Sequence, residues 1–233
     1  MKWRSFLLMA VLLATGPTVA GAYSQADVDR LLAGDKNMQN ADLSGIIQIN
    51  LTLRDYKYVD FSRADFSGSR MWSLQFDHAK LEGAKLDSGS FHGARFHFAN
   101  FKGATLLNAD LSNVPAGTSD FSSANLSGAK LTFAQMQLCK FIQANLSGAD
   151  LTNGSLYRAD LTGAKLTGTK LVNTDLQEAK IDLTWKNYIQ SQNVRNFDKI
   201  QWVQPAPFQP KTDLKSPAAR KIKTEPLKPR LPF

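Results

Sequence analysis

Residues 119–183 read SDFSS ANLSG AKLTF AQMQL CKFIQ ANLSG ADLTN GSLYR ADLTG AKLTG TKLVN TDLQE AKIDL when written in fives. The third place is always Phe, Leu, Met or Ile, and the first is always small. A helical stripe recurs every 3.6 residues and a half-buried strand alternates every two, so neither produces this pattern. The same frame runs back to Val59, giving 25 units. Ala stands first in 15 of the 25, and the centre departs from a large apolar residue only at Ala116. A repeat of this regularity decides the architecture before local propensity does.

A period of five with one large and one small apolar place predicts a tight coil. The large residue points to the axis, and the small one also points inward near a corner. The other three places, rich in Asp, Asn, Lys, Ser, Thr and Gly, are expected to face water. ANLSG at Ala124 and Ala144, ADFSG at Ala64 and ADLTG at Ala159 resemble the A(N/D)LXX pattern of the pentapeptide repeat family. That resemblance covers about residues 36–183. It implies an all-β, right-handed quadrilateral β-helix with four pentapeptides per coil and short helical caps. From Ser44 to Leu183 it implies about seven coils, a rod of about 34 Å at ~4.8 Å per coil. Upstream of Val59 the frame continues through units centred on Tyr56, Leu51 and Ile46. Leu43 of ADLSG falls three residues before Ile46, so an irregular corner is expected at Ser44–Ile46. Family members often carry Cys where this chain has Met38 and Ala41. The unit VPAGT, with Pro115, Ala116 and Gly117, is expected to bulge outward.

The ends of such a stack need covers, because open coils expose strand edges and core. Residues 23–35 predict a capping helix: Ser24 at its N-cap, Asp27 in the first turn, Gly34 at its end, and Val28, Leu31 and Leu32 over the first coil. The rod occupies 36–183. A second cap follows over 184–203, with Thr184 starting a helix whose Trp185, Tyr188 and Ile189 share a face. Residues 204–233 hold seven of the nine prolines and read as a Pro-rich basic flexible tail. Residues 1–22 have the form of a secretory signal: Lys2 and Arg4, an apolar run from Phe6 to Ala14, then Ala20-Gly21-Ala22. The run is too short to span a bilayer, which takes about 20 residues. The expected location is therefore outside the cytoplasm, in the periplasm or an equivalent lumen, with no transmembrane segment in the mature chain.

Residues twenty apart stack on one face. The columns Asp60, Lys80, Asn100, Asp120, Lys140, Asp160, Lys180 and Arg70, Ser90, Asp110, Lys130, Asp150, Lys170 largely alternate in sign, which suits a register-setting ladder. Large apolar side chains at outward places interrupt this surface, six of eight of them on the two faces centred on Met71 and Phe76. Trp72, His92, Phe98, Phe133, Leu138 and Tyr157 are the candidate partner-binding residues. His78, His92 and His97 spread over two faces with Asp77 as the one nearby carboxylate, so neither a metal site nor a cofactor is expected. Cys139 occupies a small inward place and reads as a buried substitute for Ala. No nucleophile with its base, phosphate loop or zinc motif is present.

The net charge of +8 is unevenly placed. The signal contributes +2 and the tail +5, leaving +1 for residues 23–203. The body is not a basic fold seeking nucleic acid. The expected role is a non-enzymatic exported scaffold or interaction module. Its partner would be another exported protein, or an anionic envelope surface met by Lys211, Lys215, Arg220, Lys221, Lys223, Lys228 and Arg230. The resemblance also raises DNA mimicry toward a topoisomerase, which the signal and the alternating charges disfavour. A polysaccharide binder is the other alternative, and paired carboxylates for cleavage are missing.

Overall fold

The structure is a computed structural model and describes residues 23–47 and 55–205. The signal segment, the unit centred on Leu51 and all seven basic residues of the tail lie outside the described residues.

Each pentapeptide makes one side of a four-sided coil. Its second residue bridges in parallel to the residue twenty later, as in Asp60–Lys80–Asn100–Asp120–Lys140–Asp160–Lys180. The fifth residue takes a left-handed φ, for example +59° at Arg63 and +70° at Gly148. The first amide of the next unit donates back to the central carbonyl, as Ala64 N–H does to Phe61 at 2.9 Å. Positive φ at the third residue of a four-residue turn is the type II geometry. A run of such corners turns the chain through four sides in twenty residues.

Four of the five amides of a typical unit find backbone acceptors, which explains the composition. The first closes the corner. The second reaches the preceding coil (Lys80 N–H to Val59 O, 3.0 Å). The third and fifth reach the following coil (Phe61 N–H to Lys80 O, 2.7 Å; Arg63 N–H to Glu82 O, 2.9 Å). The fourth has no backbone partner, and where the second place holds Asp or Asn its side chain supplies one. Asp60, Asp110 and Asp120 accept from Ser62, Ser112 and Ser122 N–H at 3.0, 2.9 and 2.8 Å. A carboxylate or amide oxygen two residues before an orphan amide is the usual Asx arrangement.

The inward places fill the shaft. Tyr56, Phe76 and Phe96 stack along one wall at 5.5 and 5.0 Å. Phe101, Phe121 and Phe141 stack along the next at 4.5 and 5.1 Å. Ala116 ends the first stack, and an edge contact of 5.1 Å between Phe96 and Phe101 passes the aromatic column to the second. A polar atom at the small inward place is tolerated where it donates to a carbonyl 23 residues earlier. Thr169 does so to Leu146 at 2.8 Å, Thr174 to Leu151 at 2.9 Å and Cys139 to Ala116 at 2.9 Å. Burial pushes the Cys139 thiol up to about 12.

Three expectations are corrected. Ser44–Ile46 is an ordinary corner, with Gly45 at φ +63° and Ile47 bridged to Arg70. The first coil is 23 residues long (Asn37↔Asp60, Asp42↔Asp65), whereas Asp55↔Gln75 already has the twenty-residue step. The three extra residues therefore lie between Ile47 and Asp55. The VPAGT unit does not bulge: Pro115 bridges Gln135, and Val114 and Ala116 are fully buried. Proline forfeits one inter-coil donor there, but its carbonyl still accepts from Phe96 N–H at 2.9 Å. Thr184 is not a helix cap. It sits inside a 3-10 turn, Leu183–Trp185, entered from Asp182, and Trp185 precedes helix α2 (Lys186–Gln190).

The N-terminal cover is helix α1, Gln25–Ala33. Ser24 Oγ accepts from Asp27 N–H, and Gly34 ends the helix at φ +87°. α1 also closes an open strand edge: Ser24 N–H donates to Asp42 O at 3.0 Å, and Asp27 accepts from Asp42 N–H at 3.0 Å. At the far end the chain begins another coil. β1 (Lys180–Asp182) pairs in parallel with β2 (Gln201–Val203), and Asp175 bridges Arg195. Side chains serve the last carbonyls on the other two sides. Trp185 Nε1 donates to Ala164 O at 3.1 Å and Tyr188 Oη to Thr169 O at 2.8 Å. Among the described residues no helix is long and apolar enough to cross a membrane.

Candidate interaction surface

The charged columns pair in part. Lys80, Lys85, Lys130 and Lys170 each reach the Asp one coil earlier, at 3.5–3.7 Å. Exposed pairs of this kind contribute about 0–1 kcal/mol each, so they serve register more than stability.

The sequence candidates fall into separate places. Trp72 and His92 are one coil apart on the face centred on Met71. Trp72 Nε1 donates to Ser90 Oγ at 2.7 Å, and His92 Nδ1 lies 2.8 Å from Ser112 Oγ. Phe133 stands on the corner after that face, with Asn113 and Asn153 in its column. Tyr157 is half-buried, with the Arg158 guanidinium 5.0 Å from its ring centroid. Leu138 shares a column with Phe98, with Thr118 between them.

The principal cluster includes two residues that were not candidates. Tyr58, His78 and Phe98 occupy the same corner in consecutive coils and stack with centroids 4.6 and 4.8 Å apart and planes within 11°. All three have left-handed backbones, at φ +61°, +59° and +59°. Tyr58 and Phe98 are 67% and 55% exposed. Stepping by twenty from Phe98 finds this ladder, with Tyr58 at the fifth place of the unit centred on Tyr56.

Beside the ladder runs an open groove of about 310 Å³. On its floor lies Asp77, 5% exposed although its place in the repeat faces outward. One oxygen of Asp77 accepts from His97 N–H at 3.0 Å, and the other pairs with Arg95 Nη2 at 2.9 Å. Lys57, paired to Asp55 at 3.3 Å, and the His97 ring complete the lining. Among the described residues no three His, Cys, Asp or Glu side chains gather as a metal site would need.

The model of the family described as pentapeptide repeats matches eight copies, over residues 55–83, 75–113, 119–156 and 155–182. The chain belongs to the pentapeptide repeat family. Its coils are those of the family's right-handed quadrilateral β-helix. Similar solved structures include a trypsin-treated variant of QnrB1, a plasmid-mediated fluoroquinolone resistance protein, at 15% identity over 72% of this chain and 88% of that one, TM-score 0.36. HetL, involved in heterocyst differentiation regulation in the cyanobacterium Nostoc sp. strain PCC 7120, is 21% identical over 65% of this chain and 94% of its own, TM-score 0.27. A pentapeptide repeat protein of the Arabidopsis thaliana thylakoid lumen is 20% identical over 74% and 83%, TM-score 0.30. No curated protein matches the sequence.

Proposed function

We propose that this pentapeptide repeat protein is an exported, non-enzymatic scaffold. The rod binds a partner protein through the two adjacent faces centred on Met71 and Phe76, and the basic tail adds affinity for anionic surfaces. One observation carries the reading. Tyr58, Phe98, Phe133 and Leu138 are bulky, exposed and left-handed in backbone. A non-glycine residue in that conformation costs about 1–2 kcal/mol, and with half or more of each of these residues exposed, burial offsets only part of it. Side chains retained at such a cost and presented to solvent suit recognition better than folding. A charged-ladder rod offers rigidity and spacing, which suits a scaffold. The export reading rests on the form of residues 1–22, and the tail's role on its composition.

The test is capture from an exported fraction by the full-length protein and by Trp72→Ser/Phe133→Ser. Loss of the captured partner in the double variant, with the melting temperature retained, is expected. Capture unaffected by the double variant would sink the proposal. A parallel capture lacking residues 204–233 reads the contribution of the tail.

A further inference from the structure

The groove beside the aromatic ladder has a polarity that narrows its occupant. Its one carboxylate, Asp77, is covered and already engaged by Arg95 and His97 N–H. The polar groups that line the rest of it are mainly donors or cations, with Lys57 shared with Asp55 at 3.3 Å and the Arg95 side chain the more exposed of the two cations. The Arg95 side chain is 47% exposed and commits one amino group to Asp77. Lys57 and the His78 imidazole stand nearby. The stacked rings turn their faces toward one another, so they present edges to the groove, and aromatic edges are the electropositive part of the ring. Asp77 also fixes the fork of Arg95, as a buried carboxylate does when it preorganises a guanidinium for a second acceptor.

We propose that this groove binds an extended acidic segment of a partner protein. Arg95 holds a partner carboxylate, and the edge of Tyr58, His78 and Phe98 packs an apolar side chain one or two residues away. Charge complementarity selects this occupant: a basic segment, including the chain's own residues 206–233 judged by their sequence, would place cation against cation. The assignment rests on the reading of the rod as an interaction module and specifies the chemistry of its partner.

The experiment titrates full-length, isotope-labelled protein with two probes, acetyl-Asp-Phe-Glu-amide and acetyl-Asn-Phe-Gln-amide, and follows ring and guanidinium resonances. The acidic peptide is expected to shift Tyr58, His78, Phe98 and Arg95 and to bind at least about ten-fold more tightly than its neutral counterpart. Arg95→Gln is expected to erase that difference, and Arg95→Lys, which keeps a cation beside Asp77, to retain most of it. Tyr58→Ser/Phe98→Ser is expected to abolish binding of both peptides. Equal affinity of the two peptides, or shifts confined to other faces, would overturn the assignment. So would groove resonances that move on dilution of the protein alone, which would give the site to a second copy. Capture of a partner through Trp72 and Phe133 with no peptide response in the groove overturns this assignment and leaves the scaffold reading standing.

Discussion

The indole Nε1 of Trp185 donates to the carbonyl of Ala164 at 3.1 Å, so a side chain beyond the last full coil takes the place of the next strand. Tyr188 does the same for Thr169. The rod is thus closed by hydrogen bonds as well as by apolar cover. Trp185→Phe, which keeps the ring and removes the donor, should lower stability by about 1 kcal/mol. Trp185→Ala should cost about 3 kcal/mol or more because packing is lost too. Urea unfolding of the two variants measures both.

Leu146 is fully buried, whereas the next residue, Ser147, faces outward. Leu146→Asp should cost about 4 kcal/mol or more by placing an unpaired charge in the shaft. Ser147→Asp should fall within about 0.5 kcal/mol of the parent. Circular dichroism melts separate the two outcomes, and a comparable loss in both would contradict the assigned frame.

Acid should loosen the N-terminal coils first. Burial raises the Asp60 carboxyl, but Ser62, Gln39 and Lys80 outweigh it and draw the group from 3.8 down to about 2. Asp27 is also lowered, chiefly by the Asp42 N–H it accepts. A depressed carboxyl stabilises fully above its unfolded value, and this contribution is lost as pH falls through the folded value. Stability should therefore be level above roughly pH 5 and decline from about pH 4 toward 2. Asp27→Asn/Asp60→Asn should flatten that slope in urea midpoints.

Replacing an exposed phenylalanine should make the protein more stable. Phe133, 52% exposed with φ +60°, lies in a column with Asn113 and Asn153. Asn tolerates the left-handed region, and Asn173 Nδ2 already donates to Asn153 Oδ1 at 2.7 Å in that column. Phe133→Asn should raise stability by about 0.5–1 kcal/mol while weakening partner capture. A fall in melting temperature would show that the ring packs productively.

Cys139 should resist thiol reagents in the native state, being buried with its pKa near 12. Labelling should appear only as the coils open, so its rate across denaturant concentrations should follow global unfolding. Rapid labelling of the folded protein would contradict the position assigned to it.

Much of this was legible because a five-residue period admits one frame wherever the inward places hold large and small residues in turn. The frame slips at Ile46, which is apolar enough to serve as either inward residue. The irregular corner expected at Ser44–Ile46 therefore falls ahead of the true insertion, which follows Ile47. At Pro115 local chemistry suggested a break, yet one lost amide bond is small beside a unit still held by its neighbours. Asp77 was unreadable as a buried group, because its cover comes from Arg95 and His97 in the next coil and not from adjacent sequence. The ladder at Tyr58, His78 and Phe98 was readable in principle, by stepping through the chain twenty residues at a time.

The single 23-residue coil gives the rod an origin. The coils after it repeat at twenty residues as far as Lys180, the closing strand then taking a step of twenty-one (Lys180↔Gln201), and each end closes on contacts belonging to its own coil: Asp42 at one end, Ala164 and Thr169 at the other. Whole turns can thus be inserted or excised between the two lids without altering either. Length becomes a quantity that gene duplication can adjust in increments of ~4.8 Å, and the spacing between the ladder and the second lid changes by the same ruler.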